Sequence, residues 1–66
     1  SFMTTFSFYY YLRGNKPKAK SYTEQVIEFI KNSGSTSEGD MTILQKMNDL
    51  LEKINVMPEP EEMYDE

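Results

Sequence analysis

The sequence predicts an all-α fold, a compact bundle of three main helices with a short fourth at the C-terminal end, and three observations carry that prediction. From Met41 onward, Leu44, Met47, Leu51 and Ile54 recur at steps of three and four, the spacing of one helical face. Tyr22, Val26, Phe29 and Ile30 do the same behind a serine that can cap a helix. No downstream segment offers a partner to a strand formed by the aromatic N-terminal stretch.

The first element is ambiguous by pattern alone. Phe6, Phe8, Tyr10 and Leu12 alternate as in a strand, and aromatic residues favour strands. Phe8, Tyr11 and Leu12 equally fit one helical face, with Ser7 or Thr5 as N-cap. A lone strand needs a partner, so the alternative architecture is an N-terminal strand plus two helices, paired across a dimer. Ser1-Phe2 before Met3 reads as a cloning scar and natural start, giving a helical domain over 4–57 and an acidic tail over 58–66.

Gly14 through Lys20 reads as a loop, because Gly14, Asn15 and Pro17 punctuate helices. Ser21 and Glu24 then fit a capping box that opens the second helix. Ile27 widens its apolar stripe, and Gly34 suits the left-handed position that closes it. After a polar loop, Asp40, or else Ser37, caps a helix over roughly 40–55, with Ile43 and Leu50 broadening its apolar face and Pro58 and Pro60 ending it. Met63 and Tyr64 are two anchors in the tail, which forms a last short helix or stays flexible. The expected core is Phe8, Leu12, Val26, Phe29, Ile30, Leu44, Met47, Leu51 and Ile54; Met41, Met57 and Met63 read as core filler alongside Met47 rather than as a binding groove.

A chain of 66 residues holds one domain and buries a small share of its surface. It has neither Cys nor His, so disulfides, thiolate metal sites and the commonest general base are excluded. Ser21 beside Lys20 is a common loop pairing, and Glu61-Glu62 sit in an acidic stretch with nothing to desolvate them. There is no phosphate-binding glycine loop or calcium loop. The expectation is a protein that is not an enzyme and needs no cofactor or metal. No apolar run has the length of a membrane span, and the expected setting is the cytoplasm of a bacterium or a phage-infected bacterium.

The net charge of −4 is unevenly spread. Residues 1–33 carry Arg13, Lys16, Lys18, Lys20 and Lys31 against Glu24 and Glu28, a balance of +3. Residues 34–66 carry Lys46 and Lys53 against Glu38, Asp40, Asp49, Glu52, Glu59, Glu61, Glu62, Asp65 and Glu66, a balance of −7. Such polarity steers macromolecular partners. Tyr9 and Tyr10 with Arg13, Lys16, Lys18 and Lys20 form the candidate partner-binding set: three consecutive tyrosines cannot all face inward on a helix, so Tyr9 or Tyr10 is left for a partner.

Two functions follow. One is a protein-binding module or regulator, including a phage-type inhibitor of a host protein whose acidic half imitates a phosphate track if its carboxylates align. The other is a nucleic-acid accessory using the basic loop 13–20 with tyrosines as stacking platforms, which the overall acidity disfavours. The chain is expected as a monomer or weak homodimer, away from membranes.

Ser7-Phe8-Tyr9-Tyr10-Tyr11-Leu12, followed by Lys16-Pro17-Lys18, resembles the opening of the YozE/SAM-like family, small bacterial proteins that begin with a Ser-Phe-Tyr-x-aromatic helix and a basic, proline-containing loop. Asp40-Met41 takes the place of the family's Asp-aromatic pair, and Glu61-Glu62-Met63-Tyr64 is a loose match to its acidic-aromatic end. The chain departs from the pattern in a shorter first loop, in Gly34-Ser35 where a Phe-Pro is usual, and in a curtailed C-terminus. The resemblance implies a helical bundle similar to sterile-alpha-motif domains, used for binding proteins and sometimes nucleic acids. It favours helix over strand at 6–12 and implies no activity.

Overall fold

The structure, a computed structural model, describes residues 2–59. It is all-helical: α1 spans Phe2–Leu12, α2 Lys16–Ser33 and α3 Glu38–Asn55, with no strand among the described residues. The N-terminal stretch is therefore helix, and the strand-paired dimer loses its strand. The proposed fourth helix at 59–66 lies outside the described residues except for Glu59. α2 is the central element, packed against both α1 and α3, while α1 and α3 hardly meet.

Local chemistry explains the helix boundaries, beginning with an early start to α1. Met3 lies within that helix and packs against the core, although the sequence reading set it aside as a start residue. Ser7 and Thr5 are interior rather than capping residues; the buried Ser7 hydroxyl donates back to the Met3 carbonyl at 2.9 Å, which satisfies it within its own helix.

The segment read as a loop over 14–20 is mostly helix. Gly14 at φ 78° takes a left-handed conformation that β-carbon sterics deny most residues. Its N–H donates to the Tyr11 carbonyl at 3.1 Å and the Asn15 N–H to the Tyr10 carbonyl at 2.9 Å, the paired bonds of a Schellman C-cap. Asn15 at once opens α2, its side-chain oxygen accepting from the Lys18 N–H at 3.2 Å. Pro17 falls in the first turn, where a missing N–H costs nothing. One glycine ends α1 and the next residue caps α2, so the connection is too short to be a loop of its own. Ser21 accordingly sits inside α2 rather than at a capping box, and its hydroxyl accepts from the Gln25 side chain at 3.1 Å.

Gly34 closes α2 at φ 70°, as its position in the sequence predicts. Ser37 rather than Asp40 caps α3, accepting from the Asp40 N–H at 3.2 Å. Asp40 and Glu38 occupy the first turn of α3, where the helix dipole favours negative charge.

The buried stripe of α2 is Ala19, Thr23, Val26, Ile27 and Ile30, and α3 meets the core through Met47, Leu50 and Ile54. Val26, Ile30, Met47 and Ile54 are buried as expected, and Leu44 and Leu51 are half-buried against them. Three expected core residues are exposed instead: Phe8, Leu12 and Phe29. α1 turns Met3, Ser7, Tyr10 and Tyr11 inward, at helical spacings of four, three and one, which leaves Phe8 and Leu12 on its far side. α2 has two neighbours to satisfy, so its buried stripe is centred on Ala19, Thr23 and Ile30, and Phe29 falls outside it.

Thr23 is fully buried, and its hydroxyl has no hydrogen-bond partner among the described residues. A buried hydroxyl without a partner costs its desolvation penalty with no return. Thr23→Val keeps the branched shape and is expected to raise stability by about 1 kcal/mol, read as a melting temperature higher by roughly 4–8 °C. An unchanged or lower melting temperature would show that the hydroxyl has a partner after all.

Candidate functional site

The candidate residues sort by helical position into two groups on different sides of α2. Tyr9, Tyr10, Arg13 and Lys18 form one cluster where α1 ends and α2 begins. Tyr9 and Tyr10 meet edge to face, ring centroids 5.0 Å apart at 81°. Tyr10 stacks parallel on Tyr22 of α2 at 5.7 Å, and Tyr22 in turn meets Phe6 of α1 at 5.3 Å in a tilted arrangement. The Arg13 guanidinium lies 5.4 Å from the Tyr9 ring centroid and the Lys18 ammonium 5.2 Å from that of Tyr10, both within cation–π range. Sequence reasoning missed Tyr22 and Phe6 as members of this array; Tyr22 was legible as an α2 residue, but only the packing of α1 shows which rings it joins.

Lys16 is elsewhere. Its ammonium donates to the backbone carbonyls of Met57 at 2.9 Å and Asn55 at 3.4 Å and pairs with the Glu59 carboxylate at 2.9 Å. Its side chain is only 13% exposed, so this lysine is a structural clasp on the C-terminal end of α3, where carbonyls lack helical partners. Lys20 follows one turn later at i+4, on the Lys16 side of α2, away from the tyrosines.

The clasp makes a graded prediction. Lys16→Ala removes charge-assisted bonds to two carbonyls and is expected to destabilise the fold by about 1.5–3 kcal/mol. Glu59→Gln should cost less than about 0.5 kcal/mol, because Glu59 is 79% exposed and its pairing is screened by solvent. Urea titrations of the two variants check the order; equal losses would mean that the ion pair, not the carbonyls, holds the end of α3.

The side of α1 away from α2 is unlike an ordinary solvent face. Thr5, Phe8, Tyr9 and Leu12 fall at i, i+3, i+4 and i+7, all exposed, with Leu12 at 79% and Tyr9 at 49%. α1 is apolar on both its inner and its outer side, and among the described residues its core contacts run through the inner one.

Among the described residues the acids of the second half do not all lie on one face. Glu38, Asp49 and Glu52 share the outer face of α3, but Asp40 lies on another side and Glu59 is held by Lys16. Glu61, Glu62, Asp65 and Glu66 lie outside the described residues. Among the described residues no group of acids can hold a metal ion, and no helix is long and apolar enough to cross a membrane. No family model, curated protein or solved structure matches the chain.

Proposed function

We propose that this chain is a non-enzymatic protein-binding module whose contact surface is the outer side of α1 together with the cation–tyrosine cluster at the α1–α2 junction. The observation that supports this most is the second apolar face of α1. A helix with apolar residues on both sides is expected to be covered on both, and among the described residues α2 packs against its inner side. Phe8, Tyr9 and Leu12 with Arg13 give the mixture of aromatic, aliphatic and guanidinium groups in which interface cores are rich. The lack of Cys and His in the sequence supports the non-enzymatic part of the reading.

The nucleic-acid reading has less support. Tyr10 is stacked on Tyr22 with Lys18 against its ring, so it presents no open face for a base to stack on, and Arg13 occupies one side of Tyr9. Lys16 is spent on α3, leaving fewer cations for a phosphate backbone. The YozE/SAM-like resemblance agrees with protein binding but adds no site.

The test is capture from a lysate of the native host, with and without nuclease, comparing the parent chain with a Tyr9→Ala, Leu12→Asp double variant and with Val56→Ser, an exposed position beyond α3. A protein captured with nuclease present by the parent and Val56→Ser, and lost by the double variant, supports the module. Capture that survives the double variant removes α1 from the account, and capture that vanishes with nuclease favours nucleic acid.

A further inference from the structure

Resting on that reading for its consequence, we propose that the outer side of α1 is occupied by the chain's own residues 60–66 until a partner displaces them, with Met63 and Tyr64 seated on Leu12 and Phe8. Position, reach and composition favour that occupant over any other.

The described chain stops close to where α1 ends. α1 finishes at Leu12 and α2 begins at Lys16, and the Asn15 N–H donates to the Tyr10 carbonyl at 2.9 Å, which keeps the start of α2 against the last turn of α1. Lys16 in turn holds the Met57 carbonyl and the Glu59 carboxylate, each at 2.9 Å. The end of α1, the start of α2 and the end of α3 are thereby gathered at one end of the molecule. Pro58 and Pro60 disfavour helix at Met57 and Glu59, so α3 does not carry the chain onward along its own axis.

Reach follows from chain dimensions. Counted from Glu59, Met63 is four residues on and Tyr64 five, a span of up to about 13 and 16 Å at 3.3 Å per residue. Leu12 is four residues from Lys16, and Phe8 lies about 6 Å beyond it along α1. These distances are of the same scale, so a short return suffices.

Composition matches what the surface lacks. Leu12 at 79% exposure and Phe8 at 40% leave apolar area in water. Met63 and Tyr64 are adjacent large apolar side chains, and a methionine adapts to a surface not shaped for it. Around them stand Glu61, Glu62, Asp65 and Glu66, whereas residues 1–23 contain four cations and no acid, so the two segments attract. Tethering lowers the affinity required. A link this short gives an effective concentration of about millimolar, and an intrinsic affinity of that order already populates the docked state. A partner for α1 then meets a covered surface, and its apparent affinity falls by the fraction of chains left open.

The sequence has no Cys, so Glu66→Cys gives the full chain a single attachment point for a nitroxide label. The amides of Phe8 and Leu12 should broaden, and that of Thr42, about 20 Å along α3 from Asn55, should not. Adding Met63→Ser and Tyr64→Ser should return Phe8 toward its unlabelled linewidth and tighten binding of the captured partner by at least about threefold. Broadening at Phe8 that is absent, or the same with and without the serines, would overturn the proposal, as would an unchanged partner affinity. Broadening that grows with protein concentration would put the segment on a second copy and overturn it too. Leu12→Asp in the labelled chain should release the segment from the other side, and it decides the matter if the serine variant loses its fold by circular dichroism. If Phe8 broadens as expected but the Tyr9→Ala, Leu12→Asp variant keeps the captured partner, the docking stands and the binding reading falls.

Discussion

Met47→Ala is expected to leave little or no folded protein at room temperature. Met47 is fully buried in the middle of α3, within the cluster formed by Val26, Ile27, Ile30, Leu50 and Ile54. Truncating a buried methionine costs about 2–5 kcal/mol, because the lost burial and the cavity left behind act together. A single core in a chain of this size supplies only about 3–5 kcal/mol of net stability, so the substitution removes most or all of it. The sequence has no Cys to form a disulfide, and among the described residues no group of side chains can hold a metal ion to offset the loss. Far-ultraviolet circular dichroism should show the helical signal reduced at 25 °C and no cooperative melt. A cooperative transition close to that of the parent would mean that the α2–α3 packing is not what holds the fold.

Leu12→Asp should do the reverse, abolishing partner binding while leaving the fold nearly intact. Leu12 contributes an apolar side chain that is 79% exposed, so little burial is lost on substitution. Substitutions at such surface positions shift stability by less than about 0.5 kcal/mol. The new carboxylate lies at the C-terminal end of α1, where the helix dipole disfavours it by a few tenths to about 1 kcal/mol. Binding is another matter. A charge placed where an apolar group must be desolvated against a partner is expected to weaken association by at least about a hundredfold, or roughly 2.7 kcal/mol. Calorimetry and melting on the same sample check both halves. Loss of binding together with loss of the fold would make Leu12 a structural residue, and retained binding would remove it from the interface.

These two substitutions also mark where the sequence was readable and where it was not. α3 was plain because its apolar steps repeat over four turns and only one neighbour claims that face, so Met47 and Ile54 were placed correctly. The start of α2 was hidden because Gly14, Asn15 and Pro17 each signal a break when taken singly. In the structure the three signals belong to two different helix ends, a C-cap and an N-cap with a proline in the first turn behind it. Phe29 and Phe8 misled for another reason. Period alone identifies a set of apolar residues on a helix, but the direction of the core depends on neighbours, and α2 has one on each of two sides.

The candidate site divided along the same line. Tyr9 and Arg13 are four apart on α1 and were legible as companions. Once α2 is known to begin at Lys16, the same spacing puts Lys16 with Lys20 and sets Lys18 apart; read as a loop, the four cations had no geometry to sort them. The capture of Lys16 by the carbonyls of Asn55 and Met57 depends on a separation of about forty residues, which no local pattern reports.

The most direct test of the central claim is the amide ¹H–¹⁵N spectrum of the chain recorded with and without the captured partner. The account predicts shifts or broadening concentrated at Phe8, Tyr9, Leu12, Arg13 and Lys18, with the outer face of α3 at Thr42, Gln45 and Asp49 unchanged. Perturbations confined to α3, with α1 unmoved, would contradict it.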